Sequence, residues 1–286
     1  MALETPLPIE GKSPGGDAPR APGAHVVQGT LALGTSRKIL LPAAMAVLAI
    51  LAWELAVDLL KIPVVILAPP SAILDKIVRF YPMLLENSVS TTMESLLAFF
   101  VTVGLGIILA AAITYSELLY DMFYPNLVFF QLIPKIALAP LFILWFGIHY
   151  ESRVAFSVFI SFFPMLIATA AGFGNVDNNM IRLCRSLGAT KWQILASVRF
   201  PASIPFIFSG MKISVTLAII GIIVGEFITS QSGLGYIILF ASGSQDTALV
   251  FASITVLCIV GLLMYAAVVI AERVTNHWLV STVTRR

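Results

Sequence analysis

Five polar side chains, Gln131, Lys135, Ser209, Lys212 and Glu226, lie inside hydrophobic runs that are long enough to cross a bilayer. A charge at the centre of a membrane helix costs about 2.5–3.5 kcal/mol on insertion scales, so intramembrane acids and bases are functional candidates by default. Glu226 can pair with Lys135 or Lys212, serve as a gate, touch a solute directly, or sit at an interface. Lys135 faces a bundle or a pathway, or it snorkels from near the end of its span. Ser214 and Thr216 are further hydrogen-bonding candidates, although Ser and Thr in spans commonly bond their own helix backbone. All of this is ion-pairing and binding chemistry. The motifs of bond-making catalysis are missing: there is no nucleophile elbow, no H-E-x-x-H and no phosphate-cradling G-x-x-x-x-G-K-[ST]. Cys184 and Cys258 suit neither a disulfide framework nor a metal site. His149 and His277 have no metal partner at ligand spacing.

A second polar set has another character. Residues 177–205, DNNMIRLCRSLGATKWQILASVRFPASIP, form a basic island between two apolar runs, with Arg182, Arg185, Lys191 and Arg199 against Asp177. Asp177 can cap a first helix. Ile181, Cys184 and Leu187 recur at spacing three, and Gly188 suits the left-handed position that ends a helix. Thr190 and Gln193 have capping-box spacing and start a second helix over 191–200, which Pro201 and Pro205 end. The expected product is a helix–turn–helix tied rigidly to the spans on either side. It either packs on its own protein or docks on another.

Whatever holds these groups must be built for lipid. The 286-residue chain is 59% hydrophobic and 11% charged, with mean hydropathy +0.97. Soluble domains carry about 25% charged residues. A water-soluble core could not hide so much apolar surface, so the bilayer is the expected solvent. The net charge of +2 is too small to argue for nucleic acid.

Residues 1–36, rich in Pro, Gly and Ala, read as a disordered tail without the apolar core of a signal peptide. Hydropathy predicts spans over 39–60, 91–114, 125–147, 154–173, 206–229 and 249–271, with a tail over 273–286. Glu54 and Asp58, near the end of the first span, sit at the interface or face the bundle. Residues 71–86 read as an amphipathic helix on the outer surface, and 230–248 as a short outer or re-entrant helix. Residues 115–121 read as a turn. Pro134 and Pro140 interrupt the third span, which marks it as bundle- or pathway-facing. Six spans put both termini on one side, and the basic residues of the island place that side in the cytoplasm.

Here the chain resembles a family. Gly188-Ala189 followed by Val198-Arg199-Phe200-Pro201 has the spacing of the "EAA" loop in permease subunits of bacterial ABC importers. The words RSLGATKWQIL, FPASIP, GMKISVTLAIIGIIVGEF with SGLG, PKIALAPLFILWFGI and AERV are similar to the nitrate/sulfonate/taurine branch of the binding-protein-dependent permeases. The Glu-Ala-Ala itself is replaced by Arg182, Leu183 and Cys184. The resemblance implies an all-α, type I (MetI-like) permease fold with a core over 91–272, a first helix and surface helix over 37–90, and a coupling loop over 177–205. It implies a homodimer in the bacterial inner membrane, fed by a solute-binding protein. A separate ATPase dimer would hold ATP and Mg, leaving this chain without a cofactor and non-catalytic. The contact with that ATPase would fall on Arg182, Arg185, Ser186, Leu187, Gly188, Ala189, Thr190 and Lys191, with Pro201 as the loop's second landmark. The solute would be of the nitrate, sulfonate, taurine, bicarbonate or thiamine-pyrimidine-precursor kind.

Two other classes compete. An ion-coupled secondary carrier would suit the broken third span and Glu226, but it leaves the island unexplained. A membrane scaffold or receptor has no need of Lys135, Glu226 and interior prolines.

Overall fold

The computed structural model describes residues 34–229 and 231–283. Most of the tail read over 1–36 therefore lies outside the described residues, as do Arg285, Arg286 and the His277 side chain. The chain divides into two units, Met1–Leu51 and Ala52–Arg286. In the first, the described residues are the opening of α1 (Gly34–Leu59), an apolar helix on which Leu40, Leu41, Val47, Leu48 and Leu51 are solvent-exposed in the chain by itself.

The second unit has helices and no strand among its described residues. Its elements after α1 are α2 (Pro70–Arg79), α3 (Tyr81–Thr114), α4 (Glu117–Gln131), α5 (Ala139–Phe146), α6 (Tyr150–Gly174), α7 (Asn178–Ser186), α8 (Lys191–Ile194), α9 (Phe200–Thr229), α10 (Leu234–Gly243) and α11 (Thr247–Val283). Among the described residues, five helical stretches are long and apolar enough to cross a membrane. A sixth is added if 118–131 and 135–146, bent by 85° at their junction, form one broken span. This match of apolar run to helix is what a bilayer demands, because each backbone N–H and C=O must find a partner within its own segment.

Four local readings change. Residues 71–86 are not one amphipathic helix: α2 stops at Arg79, and Pro82 lies in the first turn of α3, where its missing N–H costs nothing. Nor does α2 present a free apolar face, since Ile73 is buried with Leu84, Leu234 and Leu249, and Lys76 pairs with Asp246 beside α11. Residues 115–121 are no simple turn, because α4 already starts at Glu117. The island's second helix does not end at Pro201 or Pro205. A π-type turn over Leu195–Arg199 carries it straight into α9, giving one apolar stretch Lys191–Thr229. The widened ladder ends just before Pro201, which has no N–H to give it, whereas Pro205 sits within α9 itself. Finally, α11 runs on into the stretch 273–286 that reads as a tail.

The centre of the unit is α6 packed along α9, with α3 against both. Small residues make that approach possible. A Cβ at Gly221 on α9 would stand 2.5 Å from Ser157 Cα on α6, so only glycine fits there. Hydroxyls seal the same seam: Ser157 donates to the Ala218 carbonyl at 2.7 Å, and Ser214 to the Ser161 carbonyl at 3.0 Å.

Candidate functional site

Two groups of polar residues emerge, one inside the helix bundle and one at the island. Inside the bundle, Glu226 is 1% exposed and meets neither lysine. Its carboxyl accepts the Thr91 hydroxyl at 2.7 Å and the Gly235 backbone N–H at 2.7 Å. Two neighbouring amides are held in the same way. Gly233 N–H donates to Asn87 Oδ1 at 2.7 Å, and Leu234 N–H to Thr91 Oγ1 at 2.9 Å. These amides open α10, where a helix has no intrahelical partners for its first N–H groups. Glu226 thus caps α10 from another helix, and its acidic group stands at the positive end of the α10 dipole. Gly233, at φ +102°, and Gly235 leave the room: a Cβ on Gly235 would lie 2.8 Å from Glu226 Oε2. The spacing of Glu226 to Gly233-Leu234-Gly235 was the available sequence signal. Glu54 does the same for α2, accepting the Ser71 N–H at 3.0 Å and the Ser71 hydroxyl at 2.6 Å.

Sequence reasoning missed the strongest charge pair. Glu94 on α3 and Arg153 on α6 form a two-point ion pair, with side chains only 12% and 8% exposed. Such forked contacts are the strong form of carboxylate recognition. Gly225, next to Glu226, packs on Arg153, where a Cβ would come within 3.2 Å of its Cα. Consecutive residues of α9, Gly225 and Glu226, therefore touch the pair and cap α10.

The other intramembrane candidates are dispersed. Lys212 pairs with Glu272 and so ties α9 to α11. Lys135, half-buried at the break between α4 and α5, donates to the Gln131 carbonyl at 3.3 Å and lies 5.4 Å from the centre of the Phe163 ring. Gln131 and Lys135 are thus brought together, but through backbone. Ser209 is exposed on α9, and so is Thr216, which donates to the Lys212 carbonyl at 3.3 Å.

The island forms the caps its sequence specifies. Asp177 accepts the Asn179 N–H at 2.9 Å. Gly188 has φ +81°, and the closing bonds Gly188 N–H to Arg185 O and Ala189 N–H to Cys184 O, each 3.0 Å, make a Schellman end to α7. Thr190 and Gln193 exchange both bonds of a capping box, at 2.8 and 3.3 Å. The inner face, Ile181 and Ile194 with Val176, is buried. The outer face is not. Arg182, Arg185, Ser186, Gly188, Thr190 and Lys191 are exposed, and so are three large apolar groups: Leu183 (60%), Leu187 (79%) and Trp192 (67%). Leu187 is therefore no part of the buried stripe that its spacing suggests. Ala189 and Pro201 are half-buried. Arg199 anchors the island to the end of α3, donating to the Thr114 carbonyl at 2.9 Å.

Among the described residues no cluster of His, Cys, Asp and Glu could hold a metal ion.

Known proteins resemble the chain over these same elements. Residues 102–277 match the family described as binding-protein-dependent transport system inner membrane component. A formylaminopyrimidine transport permease protein of Halalkalibacterium halodurans is 31% identical over 226 residues, which is 79% of this chain and 90% of that one. The taurine transport system permease protein of Escherichia coli is 27% identical over 258 residues, covering 88% and 90%. A chain of the MetNI methionine ABC transporter, solved in inward-facing conformations, superposes with TM-score 0.58 at 18% identity. The match covers 68% of this chain and 98% of that chain. This shared fold is the MetI-like permease architecture.

Proposed function

Since this chain belongs to the family of binding-protein-dependent transport system inner membrane components, we propose that it is the membrane permease subunit of an ABC importer. In this reading a solute-binding protein delivers a small solute to one face and a separate ATPase dimer drives transport from the other. The second copy of the permease completes the path. ATP and Mg belong to the ATPase, and this chain contributes no catalytic group. Both termini and the island lie on the cytoplasmic side.

The observation that carries the reading is the island's outer face. Leu183, Leu187 and Trp192 stand exposed around Gly188, on an element whose inner face is already packed. A connector made only to pack on its own protein has no use for three large apolar groups that its own fold leaves uncovered. Exposed apolar groups beside Arg182, Arg185 and Lys191 fit a docking surface. The same element continues without a break into a 39-residue helical stretch ending at Thr229. A push on the island is then a push on α9, and through the α6–α9 seam on the bundle centre. In this reading Arg182, Arg185, Ser186, Leu187, Gly188, Ala189, Thr190 and Lys191 meet the ATPase, and Gln131, Lys135, Ser209 and Lys212 are the remaining pathway candidates. Glu226 is better explained as the cap of α10, and an ion-coupled carrier loses its main support.

The solute is proposed to be of the nitrate, sulfonate, taurine, bicarbonate or thiamine-pyrimidine-precursor kind. The similar permeases named for formylaminopyrimidine, aliphatic sulfonates and taurine support that range. The test is co-expression with candidate ATPases. Co-purification is expected, and it should be lost on Gly188→Pro or on deletion of residues 188–191. Transport by the chain without any ATPase would overturn the reading.

A further inference from the structure

Two cavities meet where α3 ends against the island. One, of about 370 Å³, is lined by Ser116, Arg185, Lys191 and Arg199. The other, of about 730 Å³, is apolar and is lined by Ile107, Ile108, Ala112, Phe173 and Phe200, with Trp192 at its edge. Tyr115 and Leu195 line both, so the basic cavity opens directly beside the apolar one. Ile108 is 66% exposed, although it belongs to a span.

Two of the three cations of the first cavity, Arg185 and Lys191, are open to an anion in the chain by itself. Arg199 is engaged with the Thr114 carbonyl. Among the described residues neither Arg185 nor Lys191 has an acidic partner. Lys191 is steadied by the Tyr115 ring, whose centre is 5.4 Å from its ammonium. Tyr115 and Trp192 are amphipathic rings of the kind enriched at membrane boundaries. A basic pocket beside an apolar groove, at the boundary end of a span, is complementary to a molecule with an anionic head and a hydrocarbon tail.

We propose that this double cavity binds an anionic phospholipid. Its phosphate group lies between Arg185 and Lys191, and one acyl chain lies along Ile107, Ile108 and Ala112 of α3. Basic pockets between helix ends attract anionic head groups, and a lipid without net charge gains little from them. A lipid seated there bridges the island and α3, adding to the Arg199 bond, the Lys191–Tyr115 contact and the packing of Leu195 with Ala110.

The test uses the full chain in neutral detergent, titrated with phosphatidylglycerol, phosphatidylcholine or inorganic phosphate. Binding is read by native mass spectrometry and by the melting shift. Phosphatidylglycerol is expected to bind wild type about tenfold or more tightly than phosphatidylcholine, and to lose about thirtyfold in R185Q/K191Q, the scale expected of two surface cations. Ala112→Trp, which fills the groove and spares the cations, should lose phosphatidylglycerol binding as well. Equal binding of the two lipids, or wild-type phosphatidylglycerol affinity in either variant, overturns the proposal. Inorganic phosphate alone producing the full shift assigns the cavity to a free anion and overturns the lipid. None of these readouts depends on an ATPase, so the site can fail while the importer reading stands.

Discussion

The carboxyl of Glu226 accepts the backbone N–H of Gly235 at 2.7 Å. This one contact gives an acid in an apolar span a structural role as a helix cap. The group that satisfies it is nine residues on in the chain, and it is backbone. Membrane helices need no lysine to hold an acid when a neighbouring helix presents its unsatisfied N–H groups.

Removing that cap should be felt as lost stability. Glu226→Ala leaves the Gly235 N–H without its acceptor and the Thr91 hydroxyl with only the Asn87 carbonyl at 3.1 Å, and is expected to cost about 1–3 kcal/mol. Glu226→Gln keeps an acceptor oxygen and should cost less than half as much. Thermal unfolding in detergent distinguishes the two. Equal losses would mean that charge, not hydrogen bonding, holds α10.

The Glu94–Arg153 pair is buried, so breaking it from one side differs from removing it. Glu94→Ala strands a guanidinium inside the bundle and should cost about 3–5 kcal/mol, whereas Glu94→Leu with Arg153→Met should be much milder. A double-mutant cycle on melting temperature measures the difference. Simple additivity of the two single changes would show that the groups do not interact.

Helix spacing sets opposite expectations at two glycines. Gly221→Ala pushes a Cβ onto Ser157 and forces α6 and α9 apart, which should lower stability by about 1–3 kcal/mol. At Gly104 on α3 a Cβ meets nothing within 4 Å, so Gly104→Ala should be neutral or stabilise by about 0.5–1 kcal/mol. Measuring both melting temperatures in the same detergent checks the assignment of the α6–α9 seam.

At the island, folding and docking should separate. Leu187→Ala and Trp192→Ala remove exposed groups and should change stability by less than about 0.5 kcal/mol. Both should weaken capture of the ATPase in pull-down. Gly188→Ala adds backbone strain of about 1–2 kcal/mol at φ +81° and should loosen the turn as well. Undiminished capture by Leu187→Ala/Trp192→Ala would remove the docking role from this face.

The sequence by itself determined the features whose causes are local. Apolar runs became helices because lipid forces the backbone to bond within each segment. Asp177, Gly188 and the Thr190–Gln193 box act over two to five residues, so their types and spacing suffice. The signatures around Gly188 and Pro201 also sufficed to identify the family. Local rules also misled: the helix runs on past Pro201 and Pro205, residues 71–86 break at Arg79, and Leu187 stands outside the buried stripe. Everything that joins distant segments was decided by tertiary structure. Thr91 meets Glu226 across 135 positions and Glu94 meets Arg153 across 59, while Lys212 turns to Glu272 and not to Glu226. Sequence shows which charges must find partners in lipid. The packing of α3, α6, α9 and α10 decides which partners are within reach, because hydrogen bonds act only over about 3 Å.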